Sequence, residues 1–262
     1  MENEVQSWFR HDQIDAFVAE RDGALVGYGD RWCSKDSDRL QYELHAREEA
    51  AGAALLRELE AAPVIAPDAR ARVGISERDT VLRPVLEKAG YALVQHSFRM
   101  GVELEDSVPA DLPEWIELRG YAPEHEAAIH ATHQEAFAER VDPTPLSLDE
   151  WRSWFVGSPG FDPTLWFLAW EGAQLAGISL CQADASRDAH GHVNVLAVRR
   201  PLRRRGLGAA LLSHSFAEMK RRGMTRATLG VDADNPTGAL QLYERVGMHV
   251  ERRQDVYAKE LR

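Results

Sequence analysis

Residues 198–212 read VRRPLRRRGLGAALL: five arginines in seven residues, two glycines, and the start of an apolar run. Such a stretch is either a basic patch for nucleic acid or a cradle for a smaller phosphate. Both readings predict a bound anion. They differ over the glycines and the apolar tail, which a basic patch does not need and a helix start does.

The composition weighs against the first reading. The chain has 262 residues and a net charge of −11, whereas duplex binding rewards positive proteins through counterion release. The acidic excess lies mostly in residues 1–112, with 13 Lys+Arg against 22 Asp+Glu; residues 113–262 carry 18 against 20. A hydrophobic content of 44% supplies real cores. The two cysteines, Cys33 and Cys181, have no second cysteine at metal-ligand or redox spacing. No metal site is expected, and Cys181 reads as a small buried hydrophobe. MENEVQSWFR is not a signal sequence and no window holds 18 uninterrupted apolar residues, so a cytoplasmic protein with no membrane partner is expected.

The chain also resembles itself. FVAERDGALVGYG from Phe17 echoes FLAWEGAQLAGIS from Phe167, and REEAAGAALLRELEA from Arg47 echoes RRRGLGAALLSHSFA from Arg203. RVGISERDTVLRPVLEKAGY then matches TLGVDADNPTGALQLYERVGM with the offset grown by one. Two copies of one α/β fold are expected, joined near DLPEWIELRGYAPEH, with domains at 1–112 and 113–262.

The second copy reads as a complete unit. A short strand near 114–119 precedes a helix over about 124–139, and a second helix opens at Ser147 with Glu150 three residues on. Strands near 165–170 and 175–181 flank an EGAQ turn, and HVNVLAV leads into the opening stretch. Trp151, Trp154, Phe155, Trp166 and Trp170 read first as core. RRRGLGAALL therefore joins a strand to a helix, whose first N–H groups have no intrahelical partner and bind anions. Gly206 and Gly208 clear side chains from that backbone, and the run after Ala209 starts the buried face.

At this point the sequence resembles the GNAT superfamily of acyl-CoA-dependent N-acetyltransferases. Its loop pattern, Q/R-x-x-G-x-G/A after a strand, is met by Arg203, Gly206 and Gly208; Asn235, Tyr243 and Gly247-Met248 follow in the family's order. The tandem layout resembles the mycothiol synthases and their relatives. The resemblance implies two tandem GNAT-like domains with a mixed central sheet flanked by helices. It also implies acetyl-CoA as cosubstrate, bound by Leu196, Ala197, Val198, Arg203, Arg204, Arg205, Gly206, Leu207, Gly208, Ala209 and Asn235. The partner it implies is a primary amine of a small molecule or peptide, attacking the thioester directly; homodimerisation is left open. A non-catalytic acetyl-CoA sensor is the alternative.

Within that reading Tyr243 reprotonates the departing thiolate, and a backbone N–H near Leu196–Val198 meets the oxyanion. His192 lies where many members place a glutamate base, and simple alternation puts Asn194 and Leu196 on its face. With an ordinary pKa near ~6.5 it accepts a proton at neutral pH. Alternatively, His190 and His192 only decorate the strand entrance. Asn235 before Pro236 reads as a helix N-cap, and Tyr243 alternatively as a buried helix aromatic. The first copy departs from the pattern: Arg47, Glu48, Glu49, Ala50, Ala51 and Gly52 stand against the loop, Leu86 stands against Tyr243, and Pro84 interrupts the expected helix. Its match begins near Trp8, so it is expected to be truncated, degenerate and non-catalytic.

Overall fold

The computed structural model describes residues 15–33, 39–61, 69–105, 110–140, 143, 145–184, 188–235 and 237–261. Residues 1–14, on which the expectation of a truncated first copy rests, lie outside them, as do Pro236 and the side chain of Cys33. The chain divides into two compact units. One is residues 98–251; the other takes the described residues before Phe98 together with those from Arg252 onward.

The first half runs β1 (Asp15–Arg21), β2 (Ala24–Cys33), β3 (Arg39–Ala46), α1 (Glu49–Ala61), β4 (Arg70–Ser76), α2 (Leu82–Lys88) and β5 (Ala92–Glu103). After β6 (Glu117–Gly120), α3 (Glu126–Phe137) and α4 (Leu148–Trp151), the order repeats: β7 (Trp166–Glu171), β8 (Gln174–Ala183), β9 (His190–Val198), α5 (Leu207–Arg221), β10 (Arg226–Asp232), α6 (Ala239–Arg245) and β11 (His249–Glu260). Each series starts with an antiparallel hairpin turned at a glycine of positive φ, Gly23 or Gly172. An antiparallel and then a parallel neighbour follow. The tandem repeat is thus a repeat of fold.

In the unit of 98–251 the strand order is β5-β10-β9-β8-β7-β6. Helix α5 covers one face through Leu211, Leu212, Phe216 and Met219, while Ile129 of α3 and Trp151 of α4 pack with Trp166 and Trp170 on the other core. Helix α4 starts as its sequence dictates: the Ser147 side chain accepts from the Glu150 N–H and Glu150 reaches back to the Ser147 N–H. A single π-helical turn, Arg152–Val156, continues it. Cys181 is fully buried in the α5 core, and burial pushes its thiol up to about 11.

In the other unit the order is β1-β2-β3-β4-β11, with α1 and α2 around a core of Leu55, Leu59, Val73, Leu82, Leu86 and Tyr257. Pro84 does not interrupt a helix. Helix α2 begins at Leu82 and so holds Pro84 in its first turn, where no backbone donor is needed. No helix among the described residues is long and apolar enough to cross a membrane.

Candidate active site

Strand β9 changes phase halfway. Leu180 pairs with Val195 and Cys181 with Val193, so Asn194 is an extra residue, a β-bulge. Before the bulge Val193 belongs to the core under α5; beyond it Val195 and Ala197 join the core under α3, while Leu196 and Val198 pack toward α5. The expectation that His192 shares a face with Leu196 is therefore wrong, because the inserted residue reverses every side chain after it. The parallel pairs with β10 run from His190–Arg226 to Val193–Leu229, and stop where the bulge begins. Past that point a cleft of about 570 Å³ opens, lined by Asn194, Leu196, Ala197 and Val198 on one side and Leu229, Gly230, Val231 and Asp232 on the other.

The basic stretch closes one end of this cleft. Residues Arg200–Leu202 make a 3-10 turn, Arg204 and Gly206 take positive φ of 63° and 84°, and α5 begins at Leu207 with Gly206 as its N-cap. The first-turn N–H groups of α5 thereby start beside the cleft. A Cβ on Gly208 would lie 3.2 Å from Leu242 and 3.7 Å from Val198, so this position lets α5, α6 and β9 converge.

Most of the arginines are already engaged. Arg199 bonds Glu135 at 2.8 Å, Arg200 lies 3.4 Å from Glu139, and Arg203 bonds Glu139 at 2.7 Å and the Val198 carbonyl at 3.0 Å. Hydrogen bonding from Arg203 holds the Glu139 carboxyl below its ordinary range. Arg205 lies outside the cleft lining, its guanidinium 3.8 Å from the centre of the Trp115 ring. Arg204 lines the cleft beside Gly238 and, among the described residues, has no carboxylate partner. A patch built for a polyanion would leave its cations free; here the run braces β9 and its turn against α3.

Asn235 does not cap α6. The N-cap is Gly238 at φ 75°, and the Asn235 side chain accepts from the N–H and hydroxyl of Thr237 at 2.9 and 2.6 Å. The amide instead fixes the turn before the helix, at the cleft wall. Tyr243 is buried and lines the cleft; burial pushes its hydroxyl up to about 12, opposed by Arg140 and reinforced by Asp232.

His192 is not among the residues lining this cleft. Its Nδ1 lies 2.9 Å from the Thr228 hydroxyl, and Arg99 reaches both Thr228 at 3.2 Å and Asp184 at 3.4 Å. Burial, and then the Arg99 charge, push its pKa down to about 4. The ordinary pKa expected for it from the sequence therefore does not hold.

The structure thus brings Leu196, Ala197, Val198, Arg203, Arg204, Gly206, Leu207, Gly208, Ala209, Asn235 and Tyr243 together at one cleft, and leaves out Arg205 and His192. It adds Arg140 and Asp232, joined by two bonds of 2.8 Å. Asp232 stands three residues before Asn235 inside the repeated motif, a signal that was there to read. Arg140 has none, since it follows a helix in a segment without a pattern.

The Acetyltransferase (GNAT) family pattern matches residues 126–248, which contain every one of these cleft residues. A mycothiol acetyltransferase of Geodermatophilus obscurus is 30% identical over 245 residues, covering 89% of this chain and 78% of its own length. Another, from Streptomyces scabiei, is 34% identical over 209 residues, covering 78% of this chain and 63% of the relative. The chain thus spans less than two thirds of that protein's length. The crystal structure of a GCN5-related N-acetyltransferase from Sphaerobacter thermophilus superposes with a TM-score of 0.81 at 28% identity, covering all of this chain and 85% of that one. With bulge, splayed strands, glycine turn and helix start falling inside the matched residues, the chain belongs to the GNAT family of acetyltransferases.

Proposed function

We propose that the chain transfers an acetyl group from acetyl-CoA to a primary amine of a small molecule or peptide, at the cleft of residues 98–251. One observation carries this reading: the β9–β10 pairing ends at the Asn194 bulge, and the opening it leaves runs from the Gly206 helix start to Tyr243. An anionic diphosphate fits the first-turn N–H groups of α5 with Arg204 beside them. A thioester held along β9 comes within reach of backbone donors beyond the bulge, which suit a developing oxyanion.

The amine nitrogen, once deprotonated, adds its lone pair to the thioester carbon. As the C–N bond forms and the C–S bond breaks, the electron pair leaves with sulfur; nitrogen gives up one proton to solvent in becoming an amide, and the thiolate takes one up to end as a thiol. Tyr243 serves that sulfur. Its hydroxyl stays protonated well above neutral pH, so it donates a hydrogen bond to the departing thiolate throughout the working range. His192, neutral near pH 7, serves as a hydrogen-bonding group or water holder upstream of the bulge. The first copy plays no catalytic part: Glu48 and Glu49 stand where the second copy has arginines, paired with Arg21 and Lys88.

The test is acetyl-CoA turnover against amines, aminoglycosides, polyamines, amino-sugar thiols and short peptides, with free thiol as readout. A second reading, a non-catalytic acetyl-CoA sensor, is favoured by the absence of His192 from the cleft lining. Stoichiometric binding without turnover of any acceptor selects it.

A further inference from the structure

The cleft contains two carboxylates, Glu139 and Asp232, and the structure treats them differently. Glu139 is held by Arg203, which is 21% exposed and also anchored to the Val198 carbonyl. That guanidinium cannot leave without unpinning the end of β9. Asp232 is 12% exposed at the end of β10, while its partner Arg140 is 41% exposed and lies just past the end of α3. Arg140 contacts Asp232 through Nε and Nη2, with the guanidinium carbon 5.5 Å from the centre of the Phe137 ring.

The pair is asymmetric. The carboxylate is built into the cleft, and the cation on it is the member that water reaches. A largely buried carboxylate needs a cation or donors facing it to offset its desolvation, but nothing requires that cation to be Arg140. We propose that Asp232 is the anchor for the ammonium group of the acceptor, and that Arg140 is a place-holder which the acceptor displaces. The inference rests on the acetyltransferase reading and deepens it by assigning the acceptor a class, cationic amines, and a point of attachment.

Three features make the exchange coherent. An incoming ammonium takes over the charge-assisted bonds that Arg140 gives up. The Phe137 face that underlies the guanidinium serves an ammonium equally. Asp232 and Tyr243 also line the same cleft, so an amine held on the carboxylate shares that cleft with the residue assigned to the leaving sulfur.

The experiment uses the full chain saturated with coenzyme A, titrated calorimetrically with three defined probes: putrescine, glucosamine and alanyl-alanine amide. At least one should bind the wild type. Asp232→Asn, nearly isosteric, should weaken that probe at least tenfold, and Arg140→Ala should tighten it severalfold because the competing cation is gone. Coenzyme A affinity should stay within twofold in both variants, which also reports that they fold. The opposite signs separate an anchor from a structural ion pair, since breaking such a pair from either side would do similar damage. Unchanged binding in Asp232→Asn, weaker binding in Arg140→Ala, or no binding of any probe to wild type and Arg140→Ala alike overturns the inference. Binding with the expected signs but no acetyl transfer would support the anchor and refute the activity.

Discussion

Gly206 and Gly208 look interchangeable in the motif, yet the structure gives them different work, and replacing each by alanine should show it. Gly206 sits at φ 84°, and a Cβ added there meets nothing within 4 Å. Its whole cost is conformational: an L-residue in the left-handed region loses ~1–2 kcal/mol, partly offset by the ~0.4–1 kcal/mol gained from a stiffer unfolded chain. The net is about 1 kcal/mol, or a melting temperature lower by roughly 2–4 °C for a chain of this size. Gly208 is the second residue of α5, where alanine is favoured by ~0.8–1.0 kcal/mol, against a 3.2 Å approach to the end of the flexible Leu242 side chain. Gly208→Ala should therefore melt at or slightly above the wild type. Gly206→Asn should fall between wild type and Gly206→Ala, since asparagine tolerates the left-handed region. Thermal and urea unfolding by circular dichroism, without coenzyme A so that binding does not add its own stabilisation, measures all three. A Gly206→Ala protein as stable as wild type, or an asparagine variant worse than the alanine one, would refute the assignment of that turn to φ.

Tyr243→Phe keeps the packed ring and removes the hydroxyl: kcat should fall on the order of 10²-fold or more with coenzyme A affinity little changed, and full kcat would make the ring merely core. His192 and His133 both have pKa values pushed down to about 4 from 6.5, chiefly by burial. The fold favours their neutral forms, so stability is complete above pH 6.5 and is lost as pH falls toward 4, by up to about 3 kcal/mol per ring. Urea midpoints across that window should show His192→Gln losing less on acidification than wild type; equal losses would contradict the burial. Acetyl-CoA titration should give one site per chain and none in Gly206→Glu, whose carboxylate would face the diphosphate; two sites would restore the first copy as a binding domain. Coenzyme A should raise the melting temperature and shield 199–206 from proteolysis while random duplex at physiological salt does neither, because Arg199, Arg200 and Arg203 already face Glu135 and Glu139.

What could be read from residue types is local. The Ser147–Glu150 box, the Gly172 turn and the glycine start of α5 each rest on a few neighbours, and each is found where the pattern puts it. The repeat was legible for the same reason. Its chemistry diverges in a way that the pairing makes plain: Ile178–Ala197 and Leu180–Val195 in one copy become Tyr28–His45 and Asp30–Glu43 in the other. The failures concern backbone events and distant partners. A β-bulge needs no special side chain when its extra residue is a plain asparagine, so simple alternation runs straight through Asn194 and reverses the face of every residue beyond it. The Asn235 error is of a second kind, since Asn-Pro fits a helix start and an asparagine-anchored turn equally well, and the choice depends on a glycine three residues on. The Arg140–Asp232 pair is of a third kind. Its partners stand 92 residues apart and meet only because β9 and β10 part after Val193 and Leu229, which leaves the end of β10 open to the end of α3. The bulge that defeated the alternation argument is thus also what creates the cleft, and with it a carboxylate that a displaceable cation can guard.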